Sequence, residues 1–102
     1  MAKVGEVCRH VRSKNAGPFW ITLDLFFDGE DSFRRYRDST ALGPAAIAAL
    51  YDTDAMLVKR VPVDSLQMIK ISYPRPRPQG WAGERDMHGG QQFVRLLAVE
   101  LD

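Results

Sequence analysis

The stretch Phe19-Trp20-Ile21-Thr22-Leu23-Asp24-Leu25-Phe26-Phe27 limits what this chain can become more than any other. Phe19, Ile21, Leu23, Leu25 and Phe27 share one pleat face, while Thr22 and Asp24 share the other, which is the two-residue period of a strand. The odd-numbered row is expected to meet the core. Leu66 to Tyr73 repeats the pattern, with Ile69, Ile71 and Tyr73 opposite Met68, Lys70 and Ser72. Phe93 to Leu101 reads as a third strong strand, Leu97, Val99 and Leu101 alternating with Ala98 and Glu100. Leu57 to Val63 reads as a short edge strand, because Pro62 removes one ladder donor.

Helical signals fall between and before these strands. Val4, Val7, Cys8 and Val11 keep the i, i+3, i+4, i+7 spacing of one helical face, and Asn15, Gly17 and Pro18 would end that helix. A strand is the competing reading, since Val is also a strand former. After the Asp28-Gly29 turn, Asp31 or Ser32 can cap a short helix that turns Phe33 and Tyr36 inward. Pro44 opens another at its first position, with Ile47, Leu50 and Tyr51 as its apolar stripe. Strands partly segregated from helices, without a regular βαβ repeat, predict an α+β fold: a mainly antiparallel sheet with short helices packed on one face.

At 102 residues, 45% hydrophobic, the chain has material for one core, and residues 1–102 are expected to form a single domain. One cysteine, Cys8, precludes an internal disulfide framework, and the start MAKVGEV lacks the apolar stretch of a secretion signal or membrane span, so a cytoplasmic setting without membrane association is expected. Lys and Arg number 14 against 13 Asp and Glu, too even a balance to suggest a duplex nucleic acid partner. The local distribution is less even. From Asp24 to Asp54, seven acids face three bases, whereas residues 9–17 and 68–78 each carry three cations and no acid.

The connection from Tyr73 to Phe93 is far longer than neighbouring elements need. Pro74, Pro76 and Pro78 hold Arg75 and Arg77 on a stiff extended rail. Gly80, Gly83, Gly89 and Gly90 let backbone amides approach a ligand closely. Arg75, Arg77 and Arg85 offer planar forks for carboxylate or phosphate, and Gln79, Gln91 and Gln92 are neutral donors. Residues 12–17 read as a second small polar loop, with Arg12 and Lys14 as cations and Ser13 and Asn15 as hydrogen-bonding groups. Both loops could open on one rim. The plainer reading is a solvated linker, or a proline-arginine segment that docks on another protein. Asp86 and His88 are the only carboxylate and imidazole close together in the long loop, hence the acid/base candidates. With Glu84 they make a poor metal set, and no metal or other cofactor is expected. Single-stranded RNA binding would need exposed aromatics on a sheet face, for which Trp20 and Phe26 are thin support. The usual signatures of nucleotide hydrolysis, dinucleotide binding and serine esterases are missing.

Three separated stretches, Arg12-Ser13-Lys14-Asn15-Ala16-Gly17-Pro18-Phe19-Trp20, Pro74-Arg75-Pro76 with Gln79-Gly80, and Arg85-Asp86-Met87-His88-Gly89-Gly90-Gln91-Gln92, resemble in order a family of small bacterial proteins of unknown function. That family is associated with the acyclic terpene utilisation protein A, as a neighbour or as a domain related to its C-terminal end. The resemblance implies a ferredoxin-like α+β fold and work alongside a larger terpene-utilisation-type partner in catabolism of branched or organic acids, including their coenzyme A thioesters. The fused relatives carry comparable Arg-Ser-Gly-Asp-Lys-Gly and Asp-x-x-Gly-Lys loops. Here Lys14-Asn15 and Gly90-Gln91 depart from them, which leaves a shared ligand in doubt.

The residues and the resemblance together lead to one expectation: an accessory small subunit or domain that binds an anionic metabolite, a carboxylate or acyl-CoA. Arg12, Lys14, Arg75 and Arg85 would neutralise the anion, with Arg77 beside them. Ser13, Asn15, Gln79, Gln91 and the amides of Gly89 and Gly90 would orient it. His88 or Asp86 would move a proton in hydratase or lyase chemistry completed with the partner. The alternative is an interaction module that docks through its Pro-Arg loop without a small ligand. Whether the chain catalyses anything alone, or assembles with copies of itself, is left open.

Overall fold

A computed structural model describes residues 2–75 and 89–102. Two hairpins and a helical crossing make up its frame. Strands β2 (Cys8–Asn15) and β3 (Trp20–Phe27) form the first hairpin, and β4 (Lys59–Val63) and β5 (Met68–Pro74) the second. They join as one antiparallel sheet in the order β2-β3-β5-β4. Between the hairpins run helices α2 (Glu30–Tyr36) and α3 (Pro44–Tyr51). Two short strands, β1 (Ala2–Lys3) and β6 (Glu100–Leu101), pair separately. An antiparallel four-stranded sheet with short helices on one face is consistent with a ferredoxin-like α+β fold.

The alternation in β3 does what its sequence predicts. Ile21, Leu23, Leu25 and Phe27 are buried, together with Ile69, Ile71 and Tyr73 of β5, against Phe33, Tyr36, Ile47, Ala48 and Tyr51 of the helices. Each buried Ile, Leu or Phe among them contributes about 1.5–3 kcal/mol by leaving water. Two ring contacts fasten the layers: Phe27 meets Phe33 edge-on at 5.9 Å, and Tyr51 stacks on Tyr73 at 4.4 Å. The Tyr51 hydroxyl donates to the Gln92 carbonyl at 2.7 Å. Burial holds that phenol well above its ordinary pKa, so it stays a donor.

Four local expectations are corrected. The N-terminal helix is only one turn, α1 (Val4–Val7), after which Cys8–Asn15 is strand. A short helix has little stability of its own, while β2 gains a ladder with β3 from Cys8↔Phe27 to Asn15↔Ile21, shifted once between Cys8 and His10. Gly17, at φ +86°, therefore serves the hairpin turn rather than a helix end, and the Ala16 amide donates to the Trp20 carbonyl at 2.9 Å. Phe19 sits in that turn and is mostly exposed instead of extending the core row. Gly29, rather than Asp31 or Ser32, holds the capping position of α2.

The last correction concerns residues 93–101, where a 3-10 turn over Gln92–Leu96 and the two-residue β6 replace the expected strand. Phe93 and Leu96 lie three apart, the repeat that such a turn stacks on one side, and Leu96 is fully buried. The Phe93 amide donates to the Ser13 hydroxyl at 3.0 Å, which anchors the turn across β2.

Candidate functional site

Strand register sorts the even-numbered residues of β2, β3 and β5, with the odd-numbered residues of β4, onto the face away from the helices, here called the even face, in three rungs. His10, Phe26, Met68 and Val63 form the first. Arg12, Asp24, Lys70 and Val61 form the second, and Lys14, Thr22, Ser72 and Lys59 the third. The second holds the least ordinary group on this face. The Asp24 side chain is 0% exposed, with the Arg12 Nε donating to its Oδ2 at 2.8 Å, while Lys70 Nζ stands 3.9 Å from Oδ1. Asp24 Oδ1 has no hydrogen-bond partner. Arg12 and Lys70 remain 51% and 45% exposed, so two cations cover a carboxylate from which they keep water away. A buried carboxylate needs such pairing to stay ionised at tolerable expense.

Around this pair the face is cationic and carries two rings. Thr22 and Ser72 hydroxyls lie 3.3 Å apart in the third rung. Lys59 Nζ sits 4.9 Å over the Trp20 ring, and the Arg9 and Arg12 guanidiniums lie 5.1 and 5.2 Å from the Phe26 centroid, with His10 also against it. Among the described residues, Arg9, Arg12, Lys14, Lys59 and Lys70 thus share a face with one acid, Asp24. Most of the acids counted in the sequence, Glu30, Asp31, Asp38, Asp52 and Asp54, belong to the helical crossing instead. The near-zero net charge therefore conceals a local excess of cations on this face.

At the end of the sheet where β2 and β5 finish, two remote segments meet. The Arg75 amide donates to the Phe19 carbonyl at 2.7 Å, and its Nη1 donates to Asn15 Oδ1. Gly89, at φ +70°, lies so close that a Cβ there would stand 2.6 Å from Ile21 Cδ1 and 3.0 Å from Asn15 Oδ1. Only glycine fits both that backbone and that gap. Ser13, buried on the helical side, accepts from Phe93 as above.

The predicted residues thus divide. Residues 12–15 are not loop but strand, and strand alternation sends Arg12 and Lys14 to the even face while Ser13 turns to the core. Asn15, Arg75 and Gly89 come together at the sheet end. Gly90 is half-buried next to them, and Gln91 is exposed, its carbonyl accepting from the Val94 amide at 3.3 Å. Arg77, Gln79, Arg85, Asp86 and His88 lie outside the described residues. Asp24, Lys59, Lys70, Thr22 and Ser72 were not among the expected site residues. Their alternation was visible, but the strand register that collects them was not. Cys8 has its thiol pushed up to about 12 by burial, with the Asp28 carboxylate adding to the effect, so it is a poor nucleophile. Among the described residues no three His, Cys, Asp or Glu side chains gather as a metal set, and no helix is long and apolar enough to cross a membrane.

Fold and face together define a small α+β domain with a cationic sheet surface. Residues 4–100 match the family described as a domain of unknown function, DUF4387, and the chain belongs to that family. No curated protein and no solved structure matches it significantly.

Proposed function

We propose that the protein binds an anionic metabolite, a carboxylate or an acyl coenzyme A ester, at the end of the sheet marked by Asn15, Arg75 and Gly89, with Lys14 on the adjoining even face. The observation that carries this reading is the joining of Asn15, Arg75 and Gly89, which brings the start of the first hairpin turn to both ends of the long glycine- and proline-rich connection. A guanidinium oriented by an amide oxygen, next to a glycine that keeps the backbone clear, is suited to holding a carboxylate or phosphate. The cations of the even face add a favourable field toward any approaching anion.

On the resemblance noted in the sequence, the protein would act as an accessory subunit beside a larger terpene-utilisation-type partner. In that setting His88 or Asp86 would move a proton in hydratase or lyase chemistry completed by the partner. A single small domain offers little enclosure of its own to exclude water from a reacting centre.

A melting experiment tests the binding. A di- or tricarboxylate, or an acyl coenzyme A, raises the melting temperature of the wild type, and Arg75→Ala abolishes the shift. If no such compound moves the melting point while Arg75→Ala weakens co-purification with a partner protein, the metabolite reading is wrong and the Pro-Arg segment is a docking element.

A further inference from the structure

The even face of the sheet has a second property that bears on what kind of anion it receives. Its four central cations, Arg12, Lys14, Lys59 and Lys70, occupy two consecutive rungs and three of the four strands, β2, β5 and β4, on either side of β3. Neighbouring strands are spaced about 4.8 Å apart and alternate rungs about 6.8 Å, so the frame measures about 14 by 7 Å between backbones. Lysine side chains, with their four-carbon stems, can converge on its middle or spread to its corners. Their charges are not spent on one another. Among the described residues Lys14 and Lys59 have no carboxylate partner, and Lys70 stands beyond hydrogen-bond distance from Asp24. Arg12 meets Asp24 through Nε alone, which leaves its terminal nitrogens for another acceptor.

Asp24 sets the local balance. Its carboxylate offsets one of the four cations, and three positive charges remain over a face whose centre is lined by the Thr22 and Ser72 hydroxyls. A surface designed only for solvation would have no reason to bury a carboxylate beneath two half-exposed cations, with one oxygen lacking a hydrogen bond. The arrangement instead fixes Arg12 and Lys70 close to the sheet, where their reach overlaps that of Lys14 and Lys59.

We propose that this face is the binding surface for a small polyvalent anion, one bearing two or three carboxylate or phosphate groups, with Arg12, Lys14, Lys59 and Lys70 as its ligands and Asp24 as the residue that positions Arg12. A single carboxylate satisfies one or two of these cations and leaves the rest unpaired. A di- or trivalent ligand spans the frame. The inference rests on the anion-binding reading above and extends it by naming the valence and two further lysines.

Calorimetric titration of the purified chain at low salt with acetate, succinate and citrate tests it. Citrate binds at least tenfold more tightly than acetate, with succinate between them, and affinity falls as sodium chloride is added, as expected for exposed charges. Lys59→Met and Lys70→Met each weaken citrate binding about fivefold, the scale of one exposed charge contact. Arg34→Met, on the exposed surface of α2, leaves it unchanged. Equal affinities for acetate and citrate overturn the inference. So does normal citrate binding in both lysine variants; if Arg75→Ala still abolishes it, the sheet-end reading survives alone. Loss in the lysine variants with Arg75→Ala unaffected supports the face and refutes the sheet end. No binding of any of the three anions overturns the inference and, with it, the carboxylate form of the sheet-end reading.

Discussion

Replacing Arg12 by methionine probes the Asp24 environment directly, because methionine keeps most of the stem and removes the charge. Breaking a buried ion pair by removing one member costs about 3–5 kcal/mol, since the remaining charge is stranded. Here the loss is smaller, because Arg12 is half exposed and Lys70, 3.9 Å from Oδ1, can close in. We expect about 2 kcal/mol for Arg12→Met, allowing for that relief. At roughly 4–6 °C per kcal/mol for a domain of this size, melting falls by about 10 °C. Asp24→Asn keeps the shape and removes the charge that needs pairing, and loses one charge-assisted hydrogen bond, about 1 kcal/mol.

The double variant is the decisive member of the set. With Asp24 already neutral, Arg12 has nothing to compensate, so Arg12→Met with Asp24→Asn should melt close to Asp24→Asn alone. Urea unfolding followed by circular dichroism supplies the free energies, and an unchanged denaturant slope shows that the variants share one native state. A coupling energy of about 2 kcal/mol is expected from the cycle. Strict additivity, or a negligible effect of Arg12→Met, would refute the claim that Arg12 and Asp24 act as a unit on this face.

Two further perturbations address the ends of the described chain segments. Gly89→Ala forces a Cβ against Ile21 and Asn15 at a positive φ, and should destabilise by about 2 kcal/mol as well as weaken anion binding, measurable in the same unfolding and titration assays. Asp102 has its carboxyl held down to about 2 by hydrogen bonds from Ser39 and Thr40. A depressed pKa contributes stability that is complete above the ordinary carboxylate value and is lost as pH falls toward 2. Replacing both Ser39 and Thr40 by alanine should therefore flatten the stability profile between about pH 4 and 2 while changing its slope little near neutrality.

Much of the sheet was readable because its signals are local. The alternation in residues 21–27 and 68–73, Pro62 on an edge strand, and Pro44 at a helix start all depend on near neighbours, and all appear where expected. The N-terminal error has a different source. Val4, Val7 and Val11 fit a helical stripe, yet β-branched side chains also suit a pleated surface, and the partner that decided between them, β3, is provided by the tertiary fold. Residues 93–101 were misread because a two-residue period was followed through Leu97, Val99 and Leu101, while the three-residue spacing of Phe93 and Leu96 was overlooked.

The candidate site shows the same division. Asn15, Arg75 and Gly89 were selected from composition and motif, and they do meet. Arg12 and Lys14 were selected for the same rim but lie on the even face, because a strand cannot present consecutive residues on one side. Asp24 was assigned to the polar face of its strand, yet its burial under Arg12 and Lys70 depends on neighbours 12 and 46 positions away. No local pattern encodes that.

Two neighbouring places are proposed to receive the anion, the sheet end at Asn15, Arg75 and Gly89 and the even face at Arg12, Lys14, Lys59 and Lys70. Amide chemical-shift mapping during a citrate titration measures this most directly. Saturable shifts are expected to concentrate at Arg12, Lys14, Asn15, Thr22, Lys70, Ser72, Arg75 and Gly89, with α2 unmoved. Shifts scattered over the helical side, or none at millimolar citrate, would contradict the proposal.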